Sequence, residues 1–241
     1  MRAAELLVCA LAALLAAPAF GQTEPSQVGT VTHLSGVLVA RQADGTTRLL
    51  GVKSAVAEGE TLLTEQATYA RVKFADDGEV VLRPSSQLKI ESYRYQNAQP
   101  EKDSVLMSLL KGGLRSVTGL IGKRSRDNVK FSTSTSTIGI RGTHFGMLLC
   151  QNDCASIPTP SGTPENGLHV DVVDGSITLT NKAGQQVLIA GQFGFVRDAN
   201  TAPVIVPPGR GIQVTMPQSI SRNAGSGKAI GGSSNFECPV M

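Results

Sequence analysis

The residue types that most often carry acid–base or metal chemistry are sparse in this chain. Histidine occurs only at His33, His144 and His169. His169 and Asp171 are two positions apart, so on a strand both side chains would project from one face. His144 could join them as a metal ligand if its strand were a neighbour, but polar positions scattered along strands explain the same residues. We predict no metal site and no cofactor.

Hydroxyl groups are abundant between Ser132 and Thr137, where serine and threonine alternate. A serine nucleophile needs a positioned base and often lies in a Gly-x-Ser-x-Gly turn, and neither feature accompanies this run. The stretch Gly119–Arg124 resembles a phosphate-binding loop only in part, because an arginine replaces the hydroxyl residue that would hold magnesium. We predict a non-enzymatic protein with no catalytic residue, since a hydrolase would need acidic or histidine groups converging on a cleft.

Positive charge is concentrated in one segment, where the only opposing acid is Asp127. A flexible basic loop could bind an anionic partner, such as lipopolysaccharide phosphates, an acidic polymer or an acidic protein surface. A solvated connection kept soluble by its charges is the other interpretation. The net charge of +3 is mild and does not favour a nucleic-acid partner. The candidate partner-binding residues are Lys111, Arg115, Lys123, Arg124, Arg126 and Lys130.

Strands must position these side chains, because the composition is that of a turn-rich β protein. The 241 residues include 26 glycines, no tryptophan and 4% aromatic residues. Polar and apolar side chains alternate from Tyr69 to Phe74, which predicts a half-buried strand, and Asp77-Gly78 predicts a hairpin turn after it. The segment Asp103–Lys111 fits both a helix and a strand.

The chain also contains an internal repeat. The first copy begins with Gly36-Val37-Leu38-Val39, and the second begins with Gly175-Ser176-Ile177-Thr178-Leu179. In each copy a turn glycine, Gly45 or Gly184, lies nine residues after the first glycine. Stacked strand–turn–strand units predict an all-β fold with a solenoid-like or rolled antiparallel sheet. A jelly-roll β-sandwich is the alternative.

The two ends of the chain differ from its middle. Residues 1–21 have the basic start, apolar stretch and small-x-small ending of a signal peptide, with cleavage expected after Gly21. We predict a linker at 22–27, one β domain at 28–198, and a mostly disordered tail at 199–241 that is rich in Pro, Gly and Ser. No segment of the mature chain is long and apolar enough to span a membrane, so the protein is expected to be periplasmic or secreted.

Three cysteines remain after signal-peptide removal. In an oxidising compartment, Cys150 and Cys154 are expected to form a disulfide. A metal pair and free thiols are the alternatives, although no second Cys or His pair with metal-site spacing lies nearby. The pairing of Cys238 is left open.

One motif carries more information than any other stretch, the run Thr137–Phe145. Glycines bracket an arginine inside an apolar, β-branched strand pattern, and glycine in a strand marks a bend or a close backbone approach. The arginine would either bind an anionic ligand or tie the turn to backbone carbonyls or to Asp171 or Asp174. The motif resembles the signature of the FecR domain, and its matching positions are Gly139, Arg141, Gly142, Thr143 and Phe145.

The resemblance implies an extracytoplasmic, all-β interaction module, and it favours a strand over a helix at 103–111. Its family includes periplasmic sensors that carry transport signals from an outer-membrane receptor to a cytoplasmic sigma factor. Because this sequence begins with a signal peptide, we expect a scaffold or interaction module that binds a protein or glycan of the cell envelope. An envelope signalling component is the alternative, and an envelope hydrolase is the second alternative.

Overall fold

The computed structural model describes residues 26–96, 98–125, 127–157, 159 and 162–221. The predicted signal peptide, residues 22–25 of the predicted linker and the tail from residue 222 onward, with Cys238, lie outside these ranges. The described chain forms strands β1 (Gln27–Ser35), β2 (Leu38–Arg41), β3 (Thr47–Leu50), β4 (Ala55–Ala57), β5 (Thr61–Thr64), β6 (Tyr69–Phe74), β7 (Glu79–Leu82), β8 (Gln87–Arg94), β9 (Ser104–Val117), β10 (Val129–Ser132), β11 (Thr137–Cys150), β12 (Gly167–Asn181), β13 (Gly184–Ile189), β14 (Phe193–Val196) and β15 (Val204–Val206). Helices are short: α1 (Leu120–Arg124), α2 (Gln218–Ser221) and 3₁₀ turns at Pro100–Lys102 and Pro208–Arg210.

These strands form one large mixed sheet, which confirms the prediction of an all-β fold. Its main path runs β15-β14-β12-β11-β10-β9-β7-β6-β1-β4, with β13, β2, β3, β5 and β8 branching from it. Among the described pairings all are antiparallel except that of β9 with β10. The long strands β9 and β11 join the two halves, because β9 pairs with β7, β8, β10 and β11.

The inner face of the rolled sheet carries the main hydrophobic core. Leu38, Leu62, Leu114, Phe145 and Leu179 are among its fully buried members and come from strands along the whole path. A second, smaller apolar cluster lies on the opposite face of the central strands.

Both copies of the sequence repeat fold as hairpins. The first is β2–β3, which pairs Leu38 with Leu50, and the second is the end of β12 with β13, which pairs Ile177 with Leu188. Each hairpin follows a glycine with a positive φ, Gly36 at 100° and Gly175 at 77°.

The segment that fitted both a helix and a strand is the first half of β9. Val105, Met107 and Leu109 are 5%, 2% and 0% exposed, whereas Leu110 is 42% exposed. The alternating apolar residues therefore define the buried face, and the helical spacing of the leucines has no structural role.

The structure differs from the sequence-based expectation at residues 199–221. Strand β15 pairs with β14, and residues 212–216 alternate between buried and exposed positions. The segment is ordered because the sheet provides an apolar surface for its side chains. Its own composition, rich in Pro and Gly, does not reveal that surface. No helix in the described part of the chain has the length and apolarity needed to cross a membrane.

Candidate functional site

One row of residues crosses five neighbouring strands on the side opposite the main core. Arg71 on β6 lies across from Val81 on β7, which lies across from Arg115 on β9, and Gly146 on β11 lies between Arg115 and Asp171 on β12. Residues directly opposite one another in a sheet share a face. We call the surface formed by this row and its neighbours the outer face.

Arg115 and Asp171 form an ion pair in the middle of the outer face. An Nη atom of Arg115 lies 2.5 Å from an Oδ atom of Asp171, and the two residues are 1% and 3% exposed. Burial raises the pKa of the Asp171 carboxyl, and the charge of Arg115 opposes that shift. Buried charges persist only when they are paired and hydrogen-bonded, so this pair must have a structural or recognition role.

The ion pair holds the backbone of a single distant residue. Nε of Arg115 donates to the carbonyl oxygen of Val214 at 2.8 Å, and the amide N–H of Val214 donates to Asp171 at 2.9 Å. Both polar groups of one peptide residue are therefore satisfied by side chains of the sheet. We call this arrangement the Val214 clamp. Both hydrogen bonds are made by the backbone of Val214 and do not involve its side chain.

The segment in the clamp, residues 211–217, is here called the C-terminal strap. Its side chains alternate as they would on a strand: Ile212, Val214 and Met216 are at most 8% exposed, whereas Gln213 and Thr215 are exposed. The buried side chains complete the second apolar cluster, whose other members are Val81, Leu148, Cys150, Cys154 and Ile220. Burying an aliphatic side chain contributes about 1.5–3 kcal/mol, so the strap is an integral part of this face.

Gly146 allows the strap to approach the sheet closely. A Cβ atom at this position would lie 2.6 Å from Cβ of Val214 and would also overlap with the Asp171 carboxylate. A larger residue would displace the strap from the clamp.

His144 lies at the edge of the clamp. Its Nε2 is 3.2 Å from an Nη atom of Arg115. Burial, reinforced by the positive charge of Arg115 and opposed by Asp174, lowers the pKa of the imidazole to about 4. The ring is therefore neutral at pH 7 and can accept a hydrogen bond from the guanidinium.

The described residues contain no group of three His, Cys, Asp or Glu side chains able to hold a metal ion. His144 and His169 do lie on neighbouring strands, β11 and β12, as a metal site would require. However, His169 contacts the carbonyl oxygen of Glu165 and the ring of Phe195, and Asp171 binds Arg115.

A protein-family model matches the part of the chain that contains the motif. The family model described as FecR protein matches residues 60–178, which include β9, β11 and the motif at 137–145. The chain carries a FecR domain. This confirms the resemblance seen in the sequence.

Solved structures give more distant matches. Two crystal structures of a candidate anti-sigma factor from Parabacteroides distasonis share 13% identity with this chain. One match covers 64% of this chain and 60% of the other at a TM-score of 0.45, and the second covers 68% and 65% at 0.44. The chain thus spans less than two thirds of the length of either protein. A cell surface anchoring domain matches at 27% identity over 26% of this chain and 82% of its own, with a TM-score of 0.25. No curated protein matches the chain.

The FecR motif lies at an irregularity of β11. The pairing of β11 with β12 shifts register between Arg141 and Phe145, and Gly142 has a φ of +60° there. The hydroxyl of Thr143 donates to the carbonyl oxygen of Ser176 at 2.7 Å, and Phe145 is fully buried. The motif therefore builds a bulge in β11, two to five residues before Gly146 of the outer face.

Arg141 is exposed, and its side chain has no hydrogen bond or ion pair with any described residue. The carboxylate of Asp171 binds Arg115 instead. The alternative in which Arg141 ties the turn to backbone carbonyls, Asp171 or Asp174 is not seen among the described residues, where hydroxyl and backbone contacts hold the bulge.

Of the six cations proposed from the sequence, the five that the structure describes do not form one surface. Lys123 and Arg124 are exposed on α1, whose first turn is fixed by a hydrogen bond from the amide of Ile121 to Asp76, and Lys130 is exposed on β10. Lys111 lies 3.7 Å from Asp153 on another part of the outer face. Arg115 is buried in the clamp beneath the strap. Arg126 lies outside the described residues.

The sequence predicted the disulfide correctly, since Cys150 and Cys154 are bonded. It missed the strap, although Ile212, Val214 and Met216 alternate with polar residues as in a strand. That alternation was the available signal, and the prolines and glycines around it obscured it.

Proposed function

We propose that this protein is a non-catalytic component of envelope signalling. Membership of the FecR family supports the proposal, because the family includes sensors that transmit signals across the envelope. A disulfide between Cys150 and Cys154 is consistent with an oxidising, extracytoplasmic compartment. We include export in the proposal, with the signal peptide removed after Gly21 and a single β domain at 28–198.

The observation that carries the proposal is the Val214 clamp. A buried ion pair binds both backbone groups of Val214, and the apolar side chains at alternate strap positions pack into the second apolar cluster. Such a site is suited to binding a peptide strand and has no feature of a catalytic centre. An extended partner segment with the same alternation would compete with the strap for the outer face.

Competition of this kind gives the domain two states. With the strap bound, Val81 is covered and the clamp is occupied. With the strap released, the same surface is open to a partner in the envelope. A signalling role requires two states with different partner affinities, and the strap provides them.

The test uses strap variants in the native host. Ile212→Asp places a charge at a buried strap position and is expected to release the strap, because an unpaired buried carboxylate is strongly unfavourable. Gln213→Asp adds the same charge at the neighbouring exposed position and is the matched control. Strap release is verified on the purified full chain by hydrogen–deuterium exchange at residues 211–217.

Transcript profiles of the two variants, the parent strain and a deletion strain then test signalling. We expect Ile212→Asp and the deletion to change an overlapping set of transcripts, while Gln213→Asp matches the parent. A deletion strain whose transcripts match those of the parent under every growth condition tried would rule out a signalling function.

Exposure of Lys123, Arg124 and Lys130 favours a second candidate function, a scaffold or interaction module that binds an anionic protein or glycan of the envelope. Changing these three residues and Arg126 to glutamine would then abolish capture of a partner from envelope extract. Equal capture by both proteins would move the contact to another face of the domain.

A further inference from the structure

A cleft of about 490 Å³ lies on the outer face, one row of residues away from the clamp. Arg83 follows β7 and lies next to Gly113 on β9, and Gly113 lies across from Leu148 on β11. Asp153 and Cys154 of the disulfide loop and Ile157, three residues after it, also line the cleft. A volume of this size accommodates a small organic molecule.

Arg83 forms no ion pair with a described residue of this cleft, whose one carboxylate, Asp153, lies near Lys111. Its backbone is hydrogen-bonded in the sheet, but its guanidinium has no hydrogen bond or ion pair with any described residue. Burial and the nearby charge of Arg115 lower the pKa of Arg83. Arginine carries five donors in a planar fork that matches a carboxylate, so a half-buried arginine without a side-chain partner among the described residues is suited to binding an anion.

Lys111 is a second cation of the same cleft. It is 3.7 Å from Asp153, a long and partly exposed pair whose residues are 43% and 28% accessible. Such a pair is weak, so Lys111 can turn toward an anion at little cost. With Arg83 and Lys111 against Asp153, the described lining carries one net positive charge.

Two glycines keep the floor of the cleft free of side chains. At Gly113 a Cβ atom would lie 2.9 Å from the carbonyl oxygen of Met147 and 3.3 Å from Cδ of Arg83. Gly112 has a φ of +75°, and a Cβ there would lie 2.7 Å from Cα of Ser86. The backbone therefore requires glycine at both positions, and the stem of Arg83 passes over the resulting flat surface.

We propose that this cleft binds a small organic carboxylate, whose anionic group pairs with Arg83 and whose apolar part lies against Leu148 and Ile157. The proposal does not depend on release of the strap or on a signalling role. It assigns a ligand site to residues 83 and 111–113 and to the disulfide loop.

The test is an NMR titration of the uniformly ¹⁵N-labelled mature chain with three probes. N-acetyl-leucine carries a carboxylate and an apolar side chain, N-acetyl-leucinamide is its neutral counterpart, and inorganic phosphate is an anion without an apolar part. We expect N-acetyl-leucine to shift the amide signals of Gly112 and Gly113 and to bind at least ten-fold more tightly than the amide or phosphate.

Two arginine variants locate the anionic contact. A hydrogen bond between charged groups contributes substantially to the binding free energy. Arg83→Gln is therefore expected to weaken binding of N-acetyl-leucine about ten- to a hundred-fold. Arg197→Gln removes an exposed arginine, paired with Glu165, from another part of the surface and leaves binding unchanged. If the spectrum of Arg83→Gln shows that the variant does not fold, the difference in affinity between N-acetyl-leucine and N-acetyl-leucinamide tests the anionic contact instead.

Equal binding of the acid and the amide would overturn the proposal. So would undiminished binding to a folded Arg83→Gln variant, or the absence of any shift at Gly112 and Gly113 with the acid. Stronger binding of phosphate than of N-acetyl-leucine would overturn the assignment of an apolar part to the ligand.

Discussion

Replacing Arg115 by methionine removes the cation of the Val214 clamp and keeps a side chain that can fill the space on β9. The variant leaves Asp171 buried without its partner, and the carbonyl oxygen of Val214 loses a donor. We expect a large and pH-dependent loss of stability, because the remaining carboxyl can relieve its own burial only by taking up a proton.

The size of the stability loss follows from the free energy needed to protonate Asp171. An aspartate with an ordinary pKa of about 3.9 costs about 1.4 kcal/mol per pH unit to neutralise, or about 4 kcal/mol at pH 7. Breaking a buried ion pair costs a similar 3–5 kcal/mol in other proteins. At pH 5 the same neutralisation costs about 1.5 kcal/mol. Arg115→Met should therefore destabilise the fold by about 4 kcal/mol at pH 7 and by less than half of that at pH 5.

Urea unfolding followed by far-UV circular dichroism measures both values, since the chain has no tryptophan for fluorescence. Asp171→Asn and the double variant complete a double-mutant cycle, in which the double variant should lose the pH dependence. Arg197→Met is the control for loss of an exposed pair, 3.1 Å long, and should cost less than about 1 kcal/mol.

A cost below about 1 kcal/mol for Arg115→Met at pH 7 would refute the reasoning, because it would mean that Asp171 is not desolvated. A cost that is the same at pH 5 and pH 7 would refute the proton-uptake argument even if the loss were large.

Three further predictions concern other parts of the domain. His144 has a pKa of about 4 when folded and about 6.5 when unfolded, so the unfolded chain takes up the proton first and stability falls as the pH drops from 6.5 to 4. At pH 5 this loss should be about 1–2 kcal/mol after solvent screening, and urea unfolding of His144→Gln should not show it. Cys154→Ser should destabilise the fold by about 2 kcal/mol, from the entropy of a short loop, and dithiothreitol should lower the stability of the native protein but not of the variant. Gly175→Ala should lower the free energy of unfolding by at least about 2 kcal/mol more than Gly45→Ala, as measured by thermal unfolding. Both glycines have positive φ, but only at Gly175 would a Cβ atom overlap with a carbonyl oxygen, that of Gly142. Equal costs for the two glycine variants would contradict the steric argument.

Local features of this fold could be predicted from the sequence. The alternation from Tyr69 to Phe74 is β6, the Asp77-Gly78 turn joins β6 to β7, and the Cys150–Cys154 disulfide follows from its spacing. Each of these depends on residues close together in the chain, where turn chemistry and side-chain period act directly.

The site could not be predicted in the same way. Arg115 lies among exposed cations in the sequence, and nothing local indicates that its partners are 56 and 99 residues away. The three apolar side chains of the strap are visible in the sequence, but their role depends on a receiving face built from β7, β9, β11 and β12. Arg83 was missed because a single arginine beside a proline carries no motif, and only its missing counter-charge in the fold makes it notable.

The long separation between Val214 and its two partners has a consequence for how the protein is made. Arg115 and Asp171 are synthesised 99 and 43 residues before Val214. Until Val214 arrives, the pair lacks two of its hydrogen bonds and the apolar residues around it face water, a condition that favours aggregation and recognition by chaperones. Docking of the strap is therefore the last step in closing the outer face, and a chain interrupted before residue 214 would present quality-control proteases with an unfinished surface.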